Sequence, residues 1–113
     1  MDPFPTEYDL IWLFEAEPKL ADADAPWVYN WIQFVTDRGQ DQVTVEIEPG
    51  NRDLRLSWSR DGIELTSAEL ISVHGLVVVN DKRGEGLSIR FWEDNEAMLW
   101  LKPVIRLEWH FNP

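Results

Sequence analysis

Hydrophobic and polar residues alternate with a period of two along most of the chain. The alternation is clearest at residues 43–48, 54–59, 87–92 and 105–111. Side chains of a β-strand point alternately to opposite faces of a sheet, so each segment is predicted to be a strand with one buried face.

Two turn signals separate these segments into hairpins. Pro49-Gly50-Asn51 is a strong turn sequence, and it predicts that strand 43–48 pairs with strand 54–59. Asp61-Gly62 supplies the residue types that a type I′ turn requires, because both of its central residues have positive φ. We therefore expect strand 54–59 to pair also with residues 63–66.

Other segments are less regular. Tyr8 to Glu17 alternates through Leu10, Trp12 and Phe14, which predicts a strand that ends at Pro18. Residues 27–36 fit a helical face with Asp24 as its cap, but their aromatic and β-branched side chains favour a strand from about Asn30 to Thr36.

Two further predictions concern the middle of the chain. Thr66-Ser67-Ala68-Glu69 resembles a capping box, and one helical turn is predicted to follow it. Residues 70–79 are predicted to form mainly a buried strand that is interrupted near Gly75.

These segments predict a mainly β fold, an antiparallel sandwich or a partly open barrel. We expect seven to nine short strands and at most one or two short helical turns. The predicted core consists of Leu10, Trp12, Phe14, Val43, Val45, Ile47, Leu54, Leu56, Trp58, Val78, Leu87, Ile89, Phe91, Ile105, Leu107 and Trp109.

The length of 113 residues predicts a single domain over residues 1–113, with residues 1–7 as an extended or frayed arm. A hydrophobic fraction of 44% is too high for wholesale disorder. The chain has no cysteine, which excludes disulfides, thiolate nucleophiles and zinc–thiolate sites. The N-terminus lacks the basic and apolar regions of a secretory signal, so we expect a cytoplasmic protein.

Charge is distributed unevenly along the chain. There are 21 acidic and 10 basic residues, a net charge of −11. Residues 1–37 hold eight acids and only Lys19 as a base, a net charge of −7, whereas the rest of the chain carries −4. Such acidity argues against nucleic-acid and anionic-membrane partners. It serves either to attract a basic partner or simply to keep the protein soluble.

No motif in the sequence indicates catalysis, so we expect no enzyme, no cofactor and no metal. Asp22-Ala23-Asp24 has the D-x-D spacing of some cation sites, but a structural turn explains it more simply. Glu46 and Glu48 share a strand face, which is typical of surface charge. His74 and His110 lie 36 positions apart with no cysteine as a co-ligand.

The seven tryptophans are the other informative feature. Trp92 and Trp100 do not fit the predicted core faces. Trp27, Tyr29 and Trp31 would share one face if a strand ran through all three. Exposed aromatic residues beside acids are typical of a protein interface. The predicted partner-binding residues are Asp22, Asp24, Trp27, Tyr29, Trp31, Trp92, Glu93 and Asp94.

The sequence thus favours a small acidic protein-binding domain. The preferred hypothesis is an immunity or inhibitor protein that neutralises a basic partner such as a nuclease toxin. One alternative is a carbohydrate-binding module that uses exposed Trp and Tyr. Another is a homodimeric structural domain, in which the additional tryptophans form the dimer contact.

Overall fold

A computed structural model describes residues 1–112, which form two antiparallel β-sheets and one α-helix in a sandwich-like arrangement. The mainly β prediction is confirmed. The elements in chain order are α1 (Glu7–Phe14), β1 (Lys19–Leu20), a 3-10 turn (Trp27–Tyr29), β2 (Ile32–Arg38), β3 (Asp41–Glu48), β4 (Asp53–Arg60), β5 (Ile63–Leu70), β6 (Val73–Asp81), β7 (Gly84–Phe91), β8 (Asn95–Lys102) and β9 (Arg106–His110).

Within each sheet, every strand pairs with its neighbours in sequence. The first sheet has the order β1-β2-β3-β4-β5, and the second has the order β6-β7-β8-β9. Both predicted hairpins are confirmed. Ile47 pairs with Leu54 across the Pro49 turn, while Asp61 and Gly62 have φ of 53° and 78° at the β4–β5 turn.

The strand predicted from Tyr8 to Glu17 is wrong. Residues 7–14 form helix α1, which buries Leu10, Leu13 and Phe14 at helical spacing. Thr6 begins the helix with a capping box, since its side chain accepts from the Asp9 amide and the Asp9 side chain accepts from the Thr6 amide. Trp12 therefore points away from the core and is 48% exposed, so its assignment to the core was wrong.

The structure also decides three other local predictions. The strand expected from about Asn30 to Thr36 exists and runs from Ile32 to Arg38, behind a 3-10 turn. No helical turn follows Thr66, because residues 63–70 form β5 and pair with β4. The interruption predicted near Gly75 is only a register irregularity between Val73 and Gly75 within β6, and the break between strands lies earlier, at Ile71 and Ser72.

Most of the predicted core is buried between the sheets and the helix. Trp58, Val78 and Leu107 are half-buried against that core, and Trp109 is exposed at its edge, where it stacks on Phe111. The largest fully buried side chain is Trp100, which the alternation did not place in the core.

Trp100 lies on the outer face of the second sheet and is covered there by side chains. The guanidinium groups of Arg83 and Arg106 lie 5.1 and 5.3 Å from its ring centroid. Its indole Nε1 donates to Glu108 Oε1 at 2.7 Å. Gly86 pairs with Trp100 across the β7–β8 ladder. A tryptophan can therefore be buried outside the sandwich core, provided that arginine side chains cover it.

Candidate functional site

All the predicted partner-binding residues lie in loops at one end of the two sheets. We call this region the loop end and define it as residues 21–31, 49–52, 71–72, 92–94 and 111–112. The ladders require this arrangement, because the strand ends adjoining these loops pair with one another in both sheets.

Backbone hydrogen bonds connect the two sheets at the loop end. The Val73 amide donates to the Arg52 carbonyl at 2.9 Å, and the Trp92 amide donates to the Ser72 carbonyl at 3.1 Å. Within residues 1–112, no hydrogen bond or ion pair joins the 21–31 loop directly to the 92–94 turn. The predicted residues of the 21–31 loop and those of the 92–94 turn therefore lie at the same end because of the sheets that carry them, and not through a direct bond.

The 21–31 loop is fastened by the buried side chain of Asn30. Its amide Nδ2 donates to the carbonyl oxygens of Asp22 at 2.6 Å and Ala25 at 3.3 Å, and its Oδ1 accepts from the amides of Asp22 and Trp31. Asp22 Oδ1 also accepts from the Asp24 amide at 2.9 Å, which is an Asx turn. The Asp22 carboxylate therefore shapes the loop, whereas that of Asp24 is exposed.

The three aromatic residues of this loop have different environments. Trp27 stacks on Phe4 with a centroid distance of 5.9 Å and donates from Nε1 to the Pro5 carbonyl at 3.1 Å. It therefore fastens the N-terminal segment. Trp31 is half-buried, and Tyr29 is 76% exposed. Since a 3-10 turn replaces the expected strand here, the three side chains do not form a single row.

The 92–94 turn presents an aromatic residue followed by two acids. Trp92 is 56% exposed. Glu93 and Asp94 both have positive φ, of 56° and 65°, and the Asn95 amide closes the turn on the Trp92 carbonyl. A left-handed backbone costs an ordinary residue free energy that glycine avoids. This turn therefore carries two carboxylates where the backbone would favour glycine.

Ion pairs are concentrated away from the loop end. Of the six salt bridges among residues 1–112, five lie near the opposite end of the sheets. They join Arg38 and Lys102 to Glu15, Lys102 to Glu85, Arg60 to Asp41, and Arg83 to Asp81. The sixth joins Arg55 to Glu69 on the outer face of the first sheet.

These pairs shift the titration of their members. A hydrogen bond from Lys102, with added attraction from Arg38 and Lys102, lowers the pKa of Glu15. Arg60 lowers the pKa of Asp41 in the same way, and Arg83 lowers that of Asp81. The carboxylates of Glu15, Asp41 and Asp81 are therefore compensated within the chain.

In the described part of the chain, carboxylates at the loop end form no such ion pairs, although Arg90 lines a cleft there together with Asp94. Arg52 is the only basic residue within the loops that define it, and it forms no ion pair among the described residues. The acids in these loops, together with the two strand-end acids beside them, are Asp22, Asp24, Glu48, Asp53, Glu93 and Asp94. None of the six forms a salt bridge within residues 1–112. Such a group of acids gives a negative potential that attracts cationic surfaces.

A cleft of about 290 Å³ opens at the loop end between the 21–31 loop and the β3–β4 turn. Tyr29 and Trp31 supply aromatic walls, and Glu48 supplies a carboxylate. Aromatic faces beside a carboxylate suit a lysine or arginine side chain, which can stack on the rings and form an ion pair. Sequence reasoning treated Glu48 as ordinary surface charge. Its position directly before the Pro49 turn was the signal that could have placed it in a loop cluster.

The two histidines lie far apart in the second sheet, and His110 lines a cleft together with Asp94 and Glu96. His74 lies on β6 and His110 on β9, the opposite edges of the second sheet. Residues 1–112 contain no group of three or more histidines, aspartates or glutamates positioned to hold a metal ion. Among the same residues, no helix has the length and apolar character needed to cross a membrane.

Comparison with known proteins gives one informative likeness. The chain resembles a chain of a solved structure described as a contact-dependent growth inhibition toxin–immunity protein complex from Klebsiella pneumoniae 342. The TM-score is 0.79, the match covers 94% of this chain and 93% of the other, and the sequences are 14% identical. No protein-family model matches the chain, and no curated protein matches it either. At this identity, the likeness shows a shared fold.

Proposed function

We propose that the chain is an immunity-type inhibitor that binds and neutralises a protein with a basic surface, such as a nuclease toxin. The observation that carries the proposal is the contrast between the two ends of the sheets. Glu15, Asp41, Asp81 and Glu85 at one end form ion pairs within the chain, whereas none of the loop-end acids does so among residues 1–112. The shared fold with a chain of a toxin–immunity complex supports the same interpretation.

The loop end would act in two steps. Its negative potential accelerates the encounter with a basic surface, because charge complementarity raises association rates. Exposed aromatic residues then supply the close contact, with Tyr29 in the cleft and Trp92 on the 92–94 turn. A standard interface covers about 800 Å² on each partner, roughly an eighth of this chain's surface of 6694 Å².

The direct test is growth protection by co-expression with the product of the adjacent gene. We expect that product to be a basic, toxic protein, and we expect co-expression of this chain to restore growth. Co-purification should weaken as salt is raised, because charged contacts are screened. The absence of any basic protein from both the neighbouring gene and a low-salt pull-down would contradict the proposal.

A matched pair of variants separates the loop end from general acidity. The loop-end variant carries Asp24→Asn, Glu93→Gln and Asp94→Asn. The control carries Asp37→Asn, Asp61→Asn and Glu64→Gln at the opposite end. Both lose three negative charges, but only the loop-end variant should lose protection. Equal loss in both would show that net charge acts without a defined surface.

A further inference from the structure

The edge strand β6 has backbone groups that no other strand uses. The Leu76 amide faces away from β7, because it donates to the Pro3 carbonyl at 2.8 Å. Residues two and four positions further along a strand point the same way, so Val78 and Asn80 also direct their backbone groups outward. Within residues 1–112, neither amide has a backbone partner on that side.

The N-terminal segment covers only the beginning of this edge. The Asp2 amide donates to the His74 carbonyl at 2.8 Å, which with the Pro3–Leu76 bond gives a short strand-like contact. Pro3 packs so closely on Gly75 that a Cβ there would lie 2.7 Å from Pro3 Cδ. The chain then turns away at Thr6 into α1. The edge beyond Leu76 is left open.

A groove of about 410 Å³ lies along this open edge. One side is the β6 edge from Leu76 to Asn80. The other side is formed by residues 3–5 and by the outer face of α1, including Asp9 and Trp12. Trp12 is 48% exposed and Val77 is 41% exposed, so the groove presents apolar surface beside free backbone donors and acceptors. An open strand edge facing a helix is the geometry in which an extended peptide adds as a further strand.

Charge indicates which segment would fit. Asp9 lines the groove, and Asp2 and Glu7 lie on the segments that flank it. Residues 1–37 carry a net charge of −7. A second copy of this chain would bring its own −11 to the contact, which disfavours pairing of two β6 edges. A partner segment with alternating basic and apolar residues fits both the charge and the spacing of the edge.

We propose that this groove is a docking site for an extended basic segment of a partner protein, which adds to β6 as a fifth strand of the second sheet. The choice of a basic protein as the partner rests on the proposed function. The free edge and the apolar groove are independent of it. The proposal adds a second contact surface, formed by β6 and α1, to the one at the loop end.

Selection from a phage-displayed random peptide library on the purified full chain tests this proposal. Enriched peptides should alternate basic and apolar residues. They should bind Asn80→Pro at least about tenfold more weakly than wild type, because proline removes the outward donor while leaving the β6–β7 ladder intact. Asn80→Ala is the matched control, since it keeps the amide and should change binding by less than about twofold.

Three further measurements keep the outcome decisive. Trp12→Ala removes the helix wall of the groove without touching the sheet and should also weaken the peptides, which provides a second variant should Asn80→Pro fail to fold. The loop-end variant should bind the peptides as tightly as wild type does.

Two outcomes of the selection would overturn the proposal that the groove is a docking site. Either no peptide is enriched, or the enriched peptides bind Asn80→Pro as tightly as they bind Asn80→Ala. A wild-type dimer in sedimentation that Asn80→Pro dissociates would instead assign the edge to a second copy and also overturn the proposal.

Failure of this proposal can be distinguished from failure of the proposed function. Peptide binding that depends on Asn80 would stand even if the loop-end variant protected cells as well as wild type. Conversely, loss of protection in the loop-end variant would stand even if no peptide bound the groove.

Discussion

Glu48 and Asp53 face each other directly across the β3–β4 ladder at the loop end. Like charges in this position repel and destabilise a sheet. Glu48 Oε2 accepts from Asn51 Nδ2 at 2.7 Å, but no cation of residues 1–112 forms a salt bridge with either acid. The hairpin thus keeps a local repulsion that a cationic partner would relieve.

This repulsion gives the first prediction. Asp53→Asn should raise the free energy of unfolding by a few tenths of a kcal/mol at low salt, since the like-charge pair is removed. The same variant should weaken binding to a basic partner. Urea denaturation measures the first effect, and titration of the partner measures the second.

Glu46→Gln is the matched control for that prediction. Glu46 lies on the same strand and faces Arg55 rather than an acid. Removing its charge should lower stability slightly, the opposite sign from Asp53→Asn. A shift of the same sign and size in both variants would mean that net charge, not the cross-strand pair, controls stability here.

The 92–94 turn gives a second prediction. Replacing Glu93-Asp94 with Asn-Gly suits the positive φ of both positions and should stabilise the protein by about 0.5–1 kcal/mol. Because two carboxylates are lost, the same change should weaken partner binding. Thermal unfolding and binding should therefore move in opposite directions. If the variant is more stable and binds the partner as tightly as wild type does, the 92–94 turn is not part of the interface.

Glu15 gives a prediction for pH dependence. Its pKa is lowered in the folded protein, chiefly by the hydrogen bond from Lys102. The stabilisation is therefore fully present above the ordinary carboxyl pKa and is lost as pH falls through the lowered value. Lys102→Met should raise the Glu15 midpoint in an NMR titration and should reduce the loss of stability on acidification. An unchanged midpoint would show that the contact does not persist in solution.

Gly86 gives a prediction about the outer face of the second sheet. A Cβ at this position would meet the Leu99 carbonyl oxygen and lie 2.8 Å from Met98 Cε, beside the buried Trp100. Gly86→Ala should cost about 1–3 kcal/mol of stability, because the close packing has no room for the methyl group. Chemical denaturation checks this value, with Gly50→Ala as the control, since that site has open space for a Cβ. Equal changes in the free energy of unfolding for the two variants would show that the packing around Gly86 and Trp100 is looser than the structure indicates.

The alternation of residues predicted the hairpins because their strands have one buried and one exposed face. Val43, Val45 and Ile47 are buried as expected, and the Asp61-Gly62 turn has the positive φ angles that its residue types imply. Here local chemistry and tertiary structure agree. This agreement is the reason that the fold class could be predicted from one sequence.

Helix α1 could not be identified from alternation, because Leu10 and Phe14 satisfy both a strand and a helical period. The capping box of Thr6 and Asp9 was the missed signal for a helix. In the structure, burial of Leu13 instead of Trp12 distinguishes the helix from a strand. The environment of Trp100 could not be predicted either. It depends on Arg83, Gly86 and Arg106, which only the folded sheet brings around the indole ring.

The residues of the candidate site were proposed from the sequence, but their arrangement at one end of the sheets was not. Asp24, Tyr29 and Trp92 are exposed in loops, yet nothing local to either segment indicates that both loops lie at the same end. The strand order and register decide that. Lack of ion pairs at this end is likewise a property of the fold, since it depends on which bases the ladders place at the opposite end.

The association rate constant with the basic partner tests the central claim most directly. Stopped-flow measurements at low and physiological salt would compare wild type with the loop-end and control variants, which carry equal net charge. We predict that the loop-end variant associates about tenfold or more slowly at low salt, whereas the control stays within about twofold of wild type. Equal rates for the two variants would contradict the assignment of the loop end as the surface that recognises the partner.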